Sequence, residues 1–222
     1  MLNKFIKETL KEYINEQIEN KTLYHGSNKE FDSFDDKLIS TGEGSDLFGK
    51  GYYFTDNKDV AEFYAKLKTK KDKIKKYDNS GLFKTEVPIY QDDADDYSDK
   101  NKKINTFKIS GNILNSEEFI IDDKFKEVII NSFEKYSGLG KDSAIKTFNF
   151  LKNNKNNINN FRGELEYIIK QLAYADKNIL NDIIGYINGL GYQGIKYRPD
   201  KDFEGNQNSW NYVIFDKNII KK

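Results

Sequence analysis

Strand-type segments lie near both ends of this chain, and the long stretch between them is mainly helical. Apolar and aromatic residues predict strands at 22–25, 52–55, 82–90, 194–197 and 212–215. Apolar residues spaced three and four apart predict helices at 58–68, 122–136, 141–153, 163–175 and 178–190. Strands at both ends that enclose helices predict one α+β domain over residues 1–222, with a helical insertion at about 116–190.

The first twenty residues carry a helical pattern of their own. Apolar side chains recur on one face and Lys and Glu fill the other, which predicts an amphipathic helix over 1–20. This helix either docks on the domain or binds a partner. Its polar face carries both charge signs, so a membrane-surface role is disfavoured. No apolar run reaches the ~18–20 residues that a membrane span needs, and no membrane association is expected.

Composition excludes several kinds of chemistry. The 222 residues include 36 basic and 36 acidic side chains, and this zero net charge argues against a general nucleic-acid binder. With one histidine and no cysteine, multi-histidine and thiolate metal sites and cysteine nucleophiles are excluded, so no metal is predicted. The absence of cysteine fits a reducing compartment, and a cytoplasmic location is expected.

Three short segments carry residue types from which a binding or catalytic site is built. In Tyr24–Ser27, a histidine and a glycine follow an apolar strand, and the glycine admits a close approach to the backbone. In Gly49–Asp56, two glycines precede an aromatic strand, and Tyr64 lies eleven residues beyond Tyr53. The third segment is the last strand, at Asn211. Each segment alone is equally well explained by core packing.

In this order and at these spacings, the three segments resemble the motifs of the ADP-ribosyltransferase superfamily, on its diphtheria toxin and poly(ADP-ribose) polymerase side. Within it, the chain looks most like transferase domains of phage polyvalent proteins and related toxins. Further shared features are Phe31–Asp35, Gly42–Gly44 and Gly191–Ile195. The likeness covers about 22–90 and 190–217. It implies a split β-sandwich, with two packed, mostly antiparallel sheets around an NAD cleft.

The resemblance implies that these residues bind NAD as a co-substrate. Gly26 would bond the nicotinamide amide through its backbone, Tyr53 and Tyr64 would stack on the nicotinamide ring, and His25 would hydrogen-bond a ribose hydroxyl. Lys50 either approaches the pyrophosphate or is solvated. The implied catalytic residues are His25, Tyr53 and Asn211, and the implied NAD-binding residues are Tyr24, Gly26, Ser27, Lys50 and Tyr64.

The third motif departs from the better-known enzymes of the superfamily, because asparagine stands where they carry a glutamate. Asn211 can accept a hydrogen bond from the ribose 2′-hydroxyl but brings no negative charge. This argues against chain elongation and favours single transfer or glycohydrolysis. Glu204 lies seven residues upstream and either supplies an auxiliary carboxylate or is a solvated loop residue.

The expected function is that of an NAD-dependent mono-ADP-ribosyltransferase, a phage or bacterial toxin or effector acting in the cytoplasm of a bacterial or phage-infected host. It would move ADP-ribose to a macromolecular acceptor, either protein or nucleic acid, and an inhibitory antitoxin is a candidate partner. Two alternatives stay open. One is a catalytically silent module of the same fold that binds NAD or nucleic acid, and the other is an NAD glycohydrolase.

Overall fold

The computed structural model describes residues 15–36, 39, 48–67, 102–138, 140–154, 163–198 and 208–222. Within these ranges the strands are β1 (Asn15–Ser27), β2 (Tyr52–Thr55), β3 (Lys103–Asn115), β4 (Gly194–Tyr197), β5 (Asn211–Ile214) and β6 (Ile220–Lys221). The α-helices are α1 (Lys58–Leu67), α2 (Asp123–Ser137), α3 (Lys141–Asn154), α4 (Glu164–Ala175) and α5 (Lys177–Gly189). A 3₁₀ turn, Lys217–Ile219, precedes β6.

The strands form one sheet that closes on itself as a five-stranded barrel. The sheet order is β1-β2-β5-β4-β3, and β3 pairs again with β1 to complete the ring. All pairings are antiparallel except that of β3 with β4. The α+β class and the mostly antiparallel pairing are thus confirmed. The described strands lie in one closed sheet, however, and not in two packed sheets. A further predicted strand at 82–90 lies outside the described residues.

The inside of the barrel is filled by side chains. Even eight strands enclose a space that side chains can just fill, so a five-stranded barrel has no room for a ligand. The inward residues alternate along each strand, as a pleated sheet requires. The buried members of this inner core are Ile18, Leu23, Tyr52, Phe54, Phe107, Ile109, Ile113, Tyr212, Ile214 and Ile219.

The four helices α2 to α5 pack on the outer face of the barrel and form the second core. Buried residues of α5 recur at helical spacing, for example Ile179, Ile183 and Ile187. They meet Leu114, Ile195 and Val213 from three strands of the sheet. Two of these helices begin with a side-chain cap: Asp122 accepts from the Phe125 amide at the start of α2, and Asp176 accepts from the Asn178 amide at the start of α5. The helices predicted within 116–190 are therefore confirmed over its described part.

The prediction that the N-terminal helix extends over residues 15–20 is wrong. Residues 15–20 belong to β1 and pair with the end of β3, from Asn15 opposite Leu114 to Ile18 opposite Gly111. The register shifts between Ile18 and Lys21, and Asn20 has a φ of 50°, which marks a β-bulge. This bulge interrupts the alternation of apolar and polar residues that is typical of a strand, and the spacing of the apolar residues then resembles that of a helix. Residues 1–14 of the predicted helix lie outside the described residues.

Helix α4 contains a buried ion pair. The Glu166 carboxylate lies 3.0 Å from the Lys170 ammonium, one helical turn away, and the two side chains are 2% and 6% exposed. Two buried charges are stabilised by each other and by the surrounding structure, so the loss of one strongly destabilises the other. None of the helices in the described ranges has the length and apolar character to cross a bilayer.

We predict that Glu166→Gln or Lys170→Met alone costs about 3–5 kcal/mol of unfolding free energy, because each removes one partner of a buried ion pair. The double variant should be more stable than either single variant. Urea unfolding followed by circular dichroism measures all three. The exposed pair of Lys217 with Asp36 serves as a control, since its loss should cost at most about 1 kcal/mol. Additive losses in the double variant would contradict the prediction.

Candidate active site

The three motif segments lie side by side in the sheet. Strand β1 carries the first motif, β2 the second and β5 the third, and these are consecutive neighbours in the sheet order. Tyr24 is opposite Thr55, and Thr55 is opposite Asn211. Residues from three distant parts of the sequence are therefore in register within one small patch, as a shared site requires.

A hydrogen bond joins the first motif to the second. Nδ1 of His25 lies 2.8 Å from the backbone carbonyl oxygen of Tyr53. A carbonyl only accepts, so Nδ1 must carry the hydrogen and donate it. In the neutral ring Nε2 then has the lone pair and acts as an acceptor. This is the tautomer that can accept a hydrogen bond from a hydroxyl group.

The imidazole of His25 faces the inside of the barrel, near its end. Residues directly opposite each other share a face, and successive residues alternate, so His25 lies on the face opposite to that of Tyr24, Tyr53 and Asn211. Its ring makes edge-to-face contacts with Phe34 at 5.1 Å and Phe31 at 5.6 Å between centroids. Of the three predicted catalytic side chains, Tyr53 and Asn211 therefore share the outer face, while His25 does not.

Tyr53 is held by the glycine loop that precedes its strand. Its hydroxyl donates to the Gly49 carbonyl at 2.7 Å and accepts from the Phe48 amide at 3.2 Å. Gly49 has a φ of +82° and lies against Ile184 of α5. The second motif thus has a structural function of its own. It joins β2 to the Gly49 loop, which packs on α5, and it fixes the half-buried ring of Tyr53.

Gly26 is required by helix packing. A Cβ at this position would lie 2.0 Å from the Ala61 carbonyl oxygen and 2.7 Å from the Ala65 nitrogen. Helix α1 therefore lies directly on β1 at the first motif, and it brings Tyr64, which is half-buried, to this end of the site. The glycine admits a close approach to the backbone, as the sequence predicts, but in this structure the neighbour is a helix.

Asn211 contains a buried acceptor that no described residue satisfies. The residue is 4% exposed, and its Oδ1 atom has no hydrogen-bond partner among the described residues. Leaving such an atom unpaired costs about 1–3 kcal/mol. Thr55 beside it donates to the Trp210 carbonyl at 3.1 Å. An orphaned acceptor on a patch formed by three motifs is a typical feature of a ligand site.

The remaining predicted residues differ in how well they suit a site. Tyr24 is half-buried on the outer face, and Lys50 is exposed just before β2. Ser27 is 8% exposed, and its hydroxyl accepts from the Lys29 amide at 3.3 Å, which is a local turn contact. Glu204 lies outside the described residues. Among the residues that the structure describes, no group of three or more acidic or histidine side chains could hold a metal.

Two features of this region were not predicted from the sequence. Phe31 and Phe34 contact the histidine, although their segment was noted only as a shared motif. At the start of β5, the Arg198 guanidinium lies 3.7 Å from the centre of the Trp210 ring and its Nε lies 3.3 Å from Glu117. No local sequence signal indicated either feature.

Fold and site together define an α+β protein, a small barrel with helices on one side and a three-strand polar patch. No protein-family model, curated protein or solved structure matches the chain. The resemblance to ADP-ribosyltransferases therefore stays a prediction from the motif residues of the sequence.

We predict that Gly26→Ala lowers the unfolding free energy by about 1–3 kcal/mol or more, because the added methyl would force α1 away from β1. Thermal unfolding measures the loss. Gly185→Ala is the matched control, since a Cβ there meets no atom within 4 Å. An unchanged melting temperature for Gly26→Ala would contradict the packing of α1 on the first motif.

Proposed function

We propose that this chain is an NAD-dependent mono-ADP-ribosyltransferase. The observation that carries the proposal is that the three motif segments occupy adjacent strands, in register, around the orphaned acceptor of Asn211. In the proposed reaction the bond between nicotinamide and ribose C1′ breaks and nicotinamide leaves with the bonding electrons. An acceptor nucleophile forms the new bond to C1′ and loses a proton.

The residues of the patch suit a substrate that contains hydroxyl groups and a flat ring. Oδ1 of Asn211 would accept a hydrogen bond from the ribose 2′-hydroxyl and so gain a partner that no described residue provides. The half-buried rings of Tyr53 and Tyr64 would flank nicotinamide. His25 would accept from a ribose hydroxyl through Nε2, the atom left as an acceptor by its bond to Tyr53.

The proposal makes one structural demand. His25 and Asn211 lie on opposite faces of the sheet, so a substrate that contacts both has to bend around the end of the barrel. The uncharged Asn211 would stabilise positive charge on the ribose less than a carboxylate does. Single transfer is therefore proposed, and not chain elongation. An acceptor in the cytoplasm of a bacterial or phage-infected cell, and a toxin or effector role, complete the proposal.

A second candidate is a module of the same fold that binds NAD without cleaving it. Two observations favour it. The described neighbours of His25 include Phe31, Phe34 and Phe54, and the backbone of α1 occupies the space beside Gly26 where a ligand would approach. Release of nicotinamide separates the two candidates.

The first experiment is incubation of the purified protein in bacterial lysate with NAD labelled in its adenylate part, followed by division between protease and nuclease. We expect label in macromolecules that one treatment removes, with free nicotinamide. Tyr64→Ala should abolish the label, whereas Phe63→Ala, its more exposed neighbour on α1, should retain it. Nicotinamide with free ADP-ribose would favour glycohydrolysis, and bound but intact NAD would favour the silent module.

Asn211 permits a sharper prediction, because stability and activity should move in opposite directions. Asn211→Leu removes a buried acceptor that no described residue satisfies and should raise the unfolding free energy by about 1 kcal/mol. The same change should lower NAD turnover by about tenfold to a hundredfold, since a contact to the reacting ribose is lost. Urea unfolding and a nicotinamide-release assay measure the two effects.

Asn115→Leu is the matched control for this prediction. Asn115 is 5% exposed at the end of β3, but its Oδ1 accepts from the Glu117 amide at 3.2 Å. This variant should lose stability, because a satisfied bond is removed. If Asn211→Leu lost stability to the same extent and turned over NAD normally, Asn211 would be an ordinary structural residue and the assignment of the third motif would be wrong.

A further inference from the structure

An irregular segment, residues 28–36, lies against the histidine at one end of the barrel. Two of its rings, Phe31 and Phe34, stand edge-to-face with the His25 ring and with each other, the latter at 4.9 Å. Phe54 of β2 is a third neighbour of the imidazole, at 6.0 Å. Both segment rings also contact Phe107 of the inner core. We refer to residues 28–36 as the Phe segment.

The Phe segment is fastened to the sheet by a buried asparagine. Asn105 is 2% exposed and lies opposite His25 on β3. Its Oδ1 accepts from the Phe31 amide and its Nδ2 donates to the Lys29 carbonyl, both at 3.0 Å. Asn105, which lies opposite His25 in the sheet, therefore also sets the position of the segment that covers the His25 ring.

The C-terminal residues hold the Phe segment from outside. The ammonium of Lys222 donates to the Phe31 carbonyl at 2.7 Å and to the Asp32 carboxylate at 2.6 Å. Lys217 donates to Asp36, and Tyr52 of β2 donates to the same carboxylate. These bonds hold the pKa of the Asp36 carboxyl below its ordinary value. The acidic residues of the Phe segment thus meet lysines that lie about 190 residues later in the sequence.

We infer that Phe31 and Phe34 are positioning residues, which hold the His25 imidazole with Nδ1 on the Tyr53 carbonyl, and that Lys217 and Lys222 hold the Phe segment in place. The ring has two tautomers and several rotamers. Rings packed on its edges leave little space for the other rotamers, and the carbonyl selects the Nδ1–H tautomer. The role of this orientation in NAD cleavage rests on the proposed function, whereas the orientation itself does not.

The presence of one histidine in the chain makes the orientation directly measurable. Protein with ¹⁵N-labelled histidine gives one pair of imidazole nitrogen signals, and their chemical shifts distinguish a protonated nitrogen from a bare one. For the wild-type protein we expect the neutral ring to carry its hydrogen on Nδ1. Phe34→Leu should produce signals of mixed tautomers, whereas Phe34→Tyr, which keeps a ring, should retain the wild-type pattern.

Matched controls separate positioning from general damage. Phe150→Leu removes a phenylalanine that is 65% exposed on α3 and should leave the histidine signals unchanged. The double variant Lys217→Gln/Lys222→Gln should shift the signals in the same direction as Phe34→Leu but less, because both lysines lie at the surface. Lys221→Gln, an exposed lysine on β6, should have no effect. The lysine variants keep the test valid if a phenylalanine variant fails to fold.

Activity gives the second readout. If NAD is cleaved as proposed, Phe34→Leu should lower kcat by about tenfold while KM changes by less than about threefold, because a misplaced contact affects the reacting geometry more than binding. Phe34→Tyr should restore kcat. Mixed tautomers in Phe34→Leu without NAD cleavage by the wild type would support the positioning role and refute the proposed function. Unchanged tautomer and kcat in folded Phe31→Leu and Phe34→Leu variants would overturn the inference.

Discussion

The pairing of β1 with β3 is the constraint on which the rest of the structure depends. These two strands are bonded along nearly their whole lengths, from Asn15 opposite Leu114 to Ser27 opposite Lys103. Their pairing closes the sheet and so gives it an inside and an outside. Each residue of β1 therefore faces either the inside or the outside, because a shift of the strand register by one residue would exchange the two faces. Leu23 and His25 face inwards for this reason, and Tyr24 and Gly26 face outwards.

The outward position of Gly26 explains much of what surrounds it. Helix α1 packs on the bare Cα of Gly26, and Tyr64 is brought to the motif patch by the same helix. On β2, Tyr53 bonds the loop at Gly49, and this loop lies against α5. The first and second motifs are therefore both packed against helices, and Asn211 lies on the strand next to β2.

Local signals allowed most of the regular structure to be predicted. The bounds of β2 and β4 and those of α2 follow from residues within each segment, such as the Asp122 cap and the left-handed Gly138 that ends α2. The start of β1 could not be predicted in this way, because its strand character comes from a partner ninety residues away and a bulge at Asn20 hides the alternation. Strand β3 was missed although Phe107, Ile109 and Ile113 alternate, because polar residues and Gly111 dilute the pattern.

The adjacency of the motif residues could be expected from the resemblance, but their faces could not. Adjacent residues on a strand point in opposite directions, and a motif written as a run of letters carries no face. Which of His25 and Gly26 faces the patch is decided by the pairing of β1 with β2 and β3. The contacts of Phe31 and Phe34 with the histidine were likewise invisible, because they depend on Asn105 and on lysines at the other end of the chain.

An amide at position 211 has a consequence for the chemistry that this patch can support. Asn211 is buried, and a carboxylate in its place would have to be desolvated. The amide avoids that cost and still presents an acceptor to a hydroxyl group. It cannot add a negative charge when positive charge develops on a ribose. In the proposed reaction, rate acceleration would then depend on how rigidly Tyr53 and Tyr64 hold the nicotinamide ring and on the orientation of His25. In this protein both depend on packing: the loop at Gly49, the approach of α1 to Gly26, and the Phe segment.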